Sequence, residues 1–140
     1  MPKPQAMDAF VSDFSGEFYP DIATSWHRSQ QAGVDPDRKP CGYFSPGKPN
    51  PVFPYPELQD IAIIAMNNIY KSLKGSGFHV LLADEEGWIV ESIPPIQQNW
   101  PNNWSEAILG TNAIGTCIQI RKGIQVTAAE HFHRDLVSFT

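Results

Sequence analysis

The stretch from Trp104 to Glu130 constrains the fold of this 140-residue chain most strongly, because it holds closely spaced helix-start and helix-stop signals. Ser105 is a favourable N-cap, and Glu106 places negative charge in a first helical turn, where the helix dipole stabilises it. Gly110 can end that turn in the left-handed conformation. These residues predict a short first helix, followed at once by a second.

The second helix is predicted to begin at Thr111, which can cap it, and to run to about Arg121. Apolar residues recur along it at close to helical spacing. Gly115 lies inside this pattern, where glycine costs about 1 kcal/mol relative to alanine, so we expect another backbone or a ligand to approach it closely. Gly123 should stop the helix, and residues 124–127 alternate as a strand does.

The two predicted helix starts form a polar corner around Ser105 and Thr111. The free backbone N–H groups of helix N-termini can hold a small polar or anionic ligand. Alternatively, the two side chains satisfy those donors themselves and nothing binds there. The spacing alone leaves both interpretations open.

Three groups of residues carry a resemblance to a known family. Residues 104–116 read Trp-Ser-Glu-Ala-Ile-Leu-Gly-Thr-Asn-Ala-Ile-Gly-Thr, and Val126 and residues 129–132 (Ala-Glu-His-Phe) follow. Upstream lie Ser-Trp-His-Arg-Ser at 25–29 and Gly-Val-Asp-Pro at 33–36. Together they resemble the N-terminal GAF sensor region of sigma-54-dependent transcriptional activators of the acetoin and glycerol catabolism regulator type.

The resemblance implies an α+β fold, with a GAF-like antiparallel sheet flanked by helices. It implies a small-molecule-sensing regulatory module rather than an enzyme, with no cofactor. The effector would be acetoin-like or polyol-like, and its binding would be relayed to ATPase and DNA-binding modules that this chain lacks. The expected ligand-binding residues are Trp104 for stacking, Ser105, Thr111, Asn112 and Thr116 for polar contacts, and Glu130 and His131 at the rim.

The rest of the chain divides into an N-terminal arm, residues 1–55, and an incomplete GAF domain, residues 56–140. The arm carries one predicted helix over 21–32, in which Ile22, Trp26 and Ser29 share a face, and a proline-rich linker over 36–56. In the domain, residues 57–74 predict a helix with a broad apolar face, which needs either a sheet or a second subunit to cover it. The resemblance implies a homodimer through this helix.

Residues 78–84 and 88–93 predict two strands joined by a hairpin turn in which Gly87 supplies positive φ. The resembled family continues with further strands that do not appear before Thr140. We therefore expect a sheet truncated before its last strands, with an unpaired edge and marginal stability as an isolated monomer.

The charge and hydrophobicity of the chain argue against nucleic-acid binding and against a membrane span. The formal net charge is −5 and the ten basic residues are scattered, which argues against a nucleic-acid-binding face. The longest clearly apolar run, residues 61–66, is far shorter than the roughly 20 residues of a membrane span. The N-terminus does not read as a signal peptide, so the expected location is the cytoplasm.

Two other chemistries are alternatives to ligand sensing. His131 and His133, flanked by acidic residues, could ligate a metal, but no fourth donor is evident and no metal is expected. A thiol-based redox enzyme of GAF type would need Cys117 or Cys41 to be exposed with a lowered pKa. The sequence shows no recognisable pair of a nucleophile and a base. A third alternative is a dimerisation or interaction module without a ligand.

Overall fold

A computed structural model describes residues 20–38, 54–96 and 100–136. The expectations for residues 1–19, for most of the proline-rich linker and for Cys41 lie outside these ranges. Short 3₁₀ turns cover Ala128–Glu130 and Arg134–Leu136. In chain order the helices and strands are α1 (Pro20–Gln31), α2 (Pro56–Leu73), β1 (Val80–Ala83), β2 (Ile89–Ile93), α3 (Glu106–Leu109) and α4 (Ala113–Ile120).

Helix α1 forms where the sequence predicts it and buries the predicted face. Ile22 and Trp26 are each 1% exposed, and both pack with Val126 and Phe132. The rings of Trp26 and Phe132 meet edge to face, with centroids 4.9 Å apart. The helix assigned to the N-terminal arm therefore shares a hydrophobic core with the C-terminal part of the described chain.

Helix α2 confirms the prediction for residues 57–74, beginning at Pro56 and ending just before a turn in which Gly75 has φ of 84°. It packs on the β1–β2 hairpin through one side only, where Met66 is buried. Much of the rest of its apolar surface is exposed. No helix among the described residues combines the length and the apolar character needed to cross a bilayer.

Strands β1 and β2 form the antiparallel hairpin that the sequence predicts. Val80 pairs with Ile93, and the register shifts once between Leu82 and Ala83. Gly87 turns the chain with φ of 89°, and the Asp84 carboxylate accepts hydrogen bonds from two backbone N–H groups of the turn. With helices packed beside this two-stranded sheet, the described chain is α+β.

The segment after α4 departs from the sequence prediction in two ways. The helix ends at Ile120 because Arg121, not Gly123, takes the left-handed conformation, and the Arg121 N–H closes the last turn on the Cys117 carbonyl at 2.8 Å. Residues 124–127 form no strand, since the only sheet among the described residues is β1–β2 and offers them no partner. They instead place Val126 in the core beside α1.

A second core lies between the hairpin and the α3–α4 region, and it fixes where the candidate site forms. Its buried members are Ile89, Trp104, Leu109 and Leu136. The segment that leads into α3 lies against the hairpin turn, where the Trp104 N–H donates to the Gly87 carbonyl at 2.8 Å. Asn103 donates its side-chain amide to the Glu86 carbonyl and accepts from the Ser105 N–H, so it ties the turn to the start of α3.

Gly115 sits where another backbone passes, as the sequence predicts. A Cβ there would lie 2.5 Å from both the Glu106 nitrogen and the Trp104 carbonyl oxygen. At Gly123 an added Cβ would meet nothing within 4 Å, and its φ is ordinary.

We expect Gly115→Ala to lower the free energy of unfolding by about 1–3 kcal/mol, because rigid backbone atoms must move apart. The matched change Gly123→Ala should stay within about 1 kcal/mol of the parent chain. Urea denaturation of both variants measures the difference. Equal stability of the two variants would show that α3 and α4 do not approach each other this closely.

Candidate functional site

The corner between α3 and α4 is capped differently from the sequence prediction. Ser105 is the N-cap of α3 but makes no side-chain cap bond, and Asn112, not Thr111, caps α4. The Asn112 backbone is extended, so its Oδ1 reaches the Gly115 N–H at 2.9 Å. Its Nδ2 donates to the carbonyls of Trp104 and Gly110, both at 2.9 Å. The buried Asn112 amide thus joins the two helices rather than facing a ligand.

A buried carboxylate, that of Glu106, links this corner to α1. Glu106 is 5% exposed. Its Oε1 accepts from Arg28 Nε at 2.5 Å and its Oε2 accepts from Arg28 Nη2 at 3.1 Å. The hydrogen bond to Glu106 raises the pKa of Arg28 above its ordinary value, so the guanidinium stays charged. A bidentate pair of this kind holds the two elements in one orientation.

Three hydroxyl groups complete the network. Ser25 Oγ and Thr116 Oγ1 donate to Glu106 Oε2 at 2.7 and 2.9 Å. The Ser25 proton is then committed, so Thr111 Oγ1 donates to Ser25 Oγ at 2.6 Å. All three hydroxyl-bearing residues are fully buried. We call this cluster of Ser25, Arg28, Glu106, Thr111 and Thr116 the α1 network.

We expect Arg28→Met to lower the free energy of unfolding by about 1–3 kcal/mol, because it leaves the Glu106 carboxylate buried without its counter-charge. The cost stays below that of a fully buried pair because the Arg28 side chain is 28% exposed. Lys122→Met, which removes the exposed pair with Asp21, is the matched control and should cost at most about 1 kcal/mol.

Thermal and urea unfolding of both variants measures these costs. A loss for Arg28→Met no larger than that for Lys122→Met would mean that the Glu106 carboxylate does not depend on Arg28.

A cavity of about 680 Å³ lies on the other side of the second core, between the hairpin and α4. Its volume falls within the range of small-molecule pockets, about 300–1,000 Å³. Its walls are mostly aromatic or aliphatic, and none of the described lining residues is Asp, Glu, Lys or Arg. The described lining residues are Ser76, Gly77, Phe78, His79, Leu81, Trp100, Trp104, Ala113, Ile114, Val126 and His131.

Two histidines, His79 and His131, line this cavity, and each is oriented by a backbone carbonyl. Because a carbonyl only accepts, the Nδ1 of His131 donates to Ala128 O at 3.0 Å, and that of His79 donates to Pro94 O at 3.0 Å. Burial lowers the pKa of His131 below its usual range, although the Ala128 bond and the Glu130 charge partly oppose this. The neutral His131 ring therefore keeps Nε2 as a hydrogen-bond acceptor.

The aromatic wall is a series of three rings. The His79 and Trp100 rings lie 4.7 Å apart, and those of Trp100 and Trp104 lie 6.4 Å apart in an edge arrangement. The Trp104 indole N–H donates to the Pro101 carbonyl at 2.8 Å, which fixes that ring against the second core. The ring planes are tilted by 55° and 63° to their neighbours, so this wall offers both faces and edges of aromatic rings to a molecule in the cavity.

The seven residues predicted to bind ligand fall into two groups. Trp104 and His131 line the cavity. The other five do not line it. Asn112, Thr111 and Thr116 make the buried hydrogen bonds described above, and Ser105 is the N-cap of α3. Glu130 accepts from Thr127 through Oε1 at 2.6 Å, while its Oε2 is buried with no hydrogen-bond partner among the described residues.

Sequence reasoning missed His79, Trp100 and Ile114 as parts of this site. His79 directly precedes β1, Trp100 lies in the segment between β2 and α3, and Ile114 lies in α4. No regular spacing in the sequence connects these three positions. The one usable signal was the isolated Trp100 in a polar loop, since a lone aromatic between polar residues needs a surface to pack on.

The arrangement of the described residues gives little support to the metal-binding and thiol-redox alternatives. No group of three or more His, Cys, Asp or Glu among the described residues is arranged to hold a metal ion. His133 is fully buried; its Nε2 contacts the Arg38 carbonyl and its Nδ1 accepts from the Asp135 N–H at 3.2 Å, so both ring nitrogens are committed. Cys117, on α4, is partly exposed.

Comparison with known proteins supports a regulator family. Over 132 aligned positions the chain is 29% identical to the acetoin catabolism regulatory protein of Cupriavidus necator. The chain is similar to a regulator. The alignment covers 85% of the present chain and 20% of that protein, so the chain spans about a fifth of the relative's length. No protein-family model matches the chain, and no solved structure matches it.

Proposed function

We propose that this chain is the small-molecule-sensing module of a transcriptional regulator, of GAF type, and that its effector binds in the cavity between the hairpin and α4. The observation that carries the proposal is the cavity itself: aromatic walls with oriented imidazoles and no described carboxylate, guanidinium or ammonium group. The similarity to a regulatory protein of acetoin catabolism supports the same assignment and a role other than catalysis.

The walls favour a small uncharged ligand with an apolar part and a hydroxyl group. An ionic ligand would enter without a described counter-charge, at a large desolvation cost. A hydroxyl can donate to His131 Nε2 while carbon atoms pack on Trp104 and Ile114. Acetoin, the hydroxyketone after whose catabolism the similar protein is named, has this chemistry, and so does a small polyol.

The α1 network offers a physical route by which the cavity can influence the rest of a regulator. Ile114, in the cavity wall, and Thr116, which donates to Glu106, lie on the same helix. Glu106 in turn holds α1 through Arg28. A ligand that binds one arrangement of α4 better than another would shift the position of α1 by its differential affinity. In this proposal Thr111, Asn112 and Thr116 support the site and transmit its state.

Filling the cavity should remove binding. We expect Ile114→Trp to weaken acetoin binding by at least about tenfold, because the indole would occupy ligand space. Gln119→Trp, at an exposed position of the same helix, is the matched control and should bind like the parent chain. Isothermal titration calorimetry with acetoin and glycerol, and with acetate as the charged comparison, measures the affinities.

Undiminished binding to Ile114→Trp would place the site elsewhere. Absence of binding by the parent chain to every uncharged probe would favour the interaction module without a ligand. Loss of binding in Thr111→Val or Asn112→Ala, with folding intact by circular dichroism, would restore those residues as direct contacts.

The proposal predicts a pH dependence set by His131. Its folded pKa lies below the ordinary 6.5 because of burial. Its contribution to stability is therefore complete above about pH 6.5 and is lost as the pH falls toward the folded pKa, since the unfolded chain takes up the proton first. Acetoin affinity should fall over the same acidic range, because a bound uncharged ligand would shield the protonated His131 ring further from water.

His131→Gln keeps an acceptor without the titration and should flatten both acidic declines. His27→Gln, at an exposed position on α1, should leave them unchanged. Calorimetric titrations and urea unfolding over the range from about pH 5 to about pH 8 provide the comparison. Identical pH profiles for His131→Gln and the parent chain would remove His131 from the site.

A further inference from the structure

The segment between α2 and β1 combines two hinge glycines with an aromatic ring at the opening of the cavity. Gly75 and Gly77 have φ of 84° and 85°, in the left-handed region that glycine adopts most readily. A Cβ added at either position would meet nothing within 4 Å, so no neighbouring group packs against them. Ser76, Gly77 and Phe78 line the cavity and are all exposed, so they border its opening to solvent. We call residues 75–78 the hinge segment.

The hydrogen bonds of the hinge segment hold it to the end of α2 and not to the cavity walls. The Ser76 hydroxyl donates to the Leu73 carbonyl and accepts from the Phe78 N–H at 3.2 Å. Among the described residues, no hydrogen bond joins the hinge segment to α4 or to β2. The next residue is anchored, since His79 donates to the Pro94 carbonyl at 3.0 Å. The hinge segment can therefore move between two fixed ends without breaking a described hydrogen bond across the cavity.

Phe78 is 53% exposed, although it is aromatic and lies beside an apolar cavity. Single exposed apolar side chains are common and need no explanation by themselves. This ring, however, lies on a hinge and next to a space that an uncharged ligand would fill. Such a ligand would give the ring an apolar surface to pack on, and packing there would remove more of the ring from water.

We infer that the hinge segment is a lid, and that Phe78 moves over a bound ligand and closes the cavity. This inference rests on the proposed function, because it requires the effector to bind in this cavity. It adds a residue that contacts the ligand. It also gives a physical reason for slow release, since the ligand cannot leave until the ring has moved away. Entry takes place through the open cavity, so closure changes the dissociation rate constant more than the association rate constant.

Stopped-flow fluorescence tests the lid, because Trp100 and Trp104 in the cavity wall can report ligand occupancy. With acetoin as the probe, Phe78→Ala should raise the dissociation rate constant by at least about tenfold and change the association rate constant by less than about threefold. Phe78→Leu keeps apolar bulk and should recover much of the slow dissociation. Tyr55→Ala is the matched control, because Tyr55 is a 62% exposed aromatic residue that does not line the cavity. It should leave both rate constants unchanged.

Hydrogen exchange measured by mass spectrometry follows the hinge segment itself. Saturating acetoin should slow exchange of the backbone N–H groups of residues 76–79 by at least about threefold in the parent chain. The slowing should be much smaller in Phe78→Ala at equal occupancy. Gly33 also has a positive φ, of 73°, and open surroundings, and it lies outside the cavity lining. Peptides that contain Gly33 are the internal control and should exchange at the same rate with and without acetoin.

The outcomes separate the lid from the proposed function. If acetoin binds but dissociates from Phe78→Ala at the parent rate, the lid is overturned and the proposed function stands. Equal exchange of residues 76–79 with and without acetoin, or an equal effect of Tyr55→Ala and Phe78→Ala, would overturn the lid in the same way. If neither acetoin nor glycerol binds the parent chain, the proposed function fails and the lid fails with it. Circular dichroism of each variant checks that the chain remains folded.

Discussion

The described fold depends on one buried amide. Asn112 holds the start of α4 through Oδ1 and holds the chain on both sides of α3 through Nδ2, with three hydrogen bonds of 2.9 Å. Without them the buried Gly110 carbonyl would lose its Asn112 partner, at a cost of about 1–3 kcal/mol. Because α3 is a single turn, it has little stability of its own. Its position, and with it the position of Glu106, follows from Asn112.

Two surfaces of the α3–α4 region then take different roles. On one side, Glu106 and its hydroxyl partners close against α1 in a polar layer whose groups satisfy one another. On the other side, Ile114 and Trp104 leave an apolar cavity that no described side chain fills. The predicted polar corner exists, but its polar groups hydrogen-bond to one another. The space for a ligand is the cavity between the hairpin and α4.

Local signals predicted much of this structure. Helix α2, the hairpin with Gly87 and the tight approach at Gly115 follow from proline and glycine punctuation and from periodicity, which act within a few residues. The cap of α4 was misplaced because Thr111 and Asn112 are both good caps. The choice between them was made by Ser25, 86 residues away, which accepts the Thr111 hydroxyl. The cavity wall was missed for the same reason, since His79, Trp100 and Ile114 meet only in the folded chain.

The α1 network also has a consequence for the order in which the chain can acquire its structure during synthesis. Ser25 meets its partners 81, 86 and 91 residues later in the sequence. Helix α1 leaves the ribosome before the carboxylate and hydroxyls that hold it have been synthesised. The apolar face of α1 stays exposed until those partners have been synthesised. We therefore expect the docking of α1 to be among the last steps of folding.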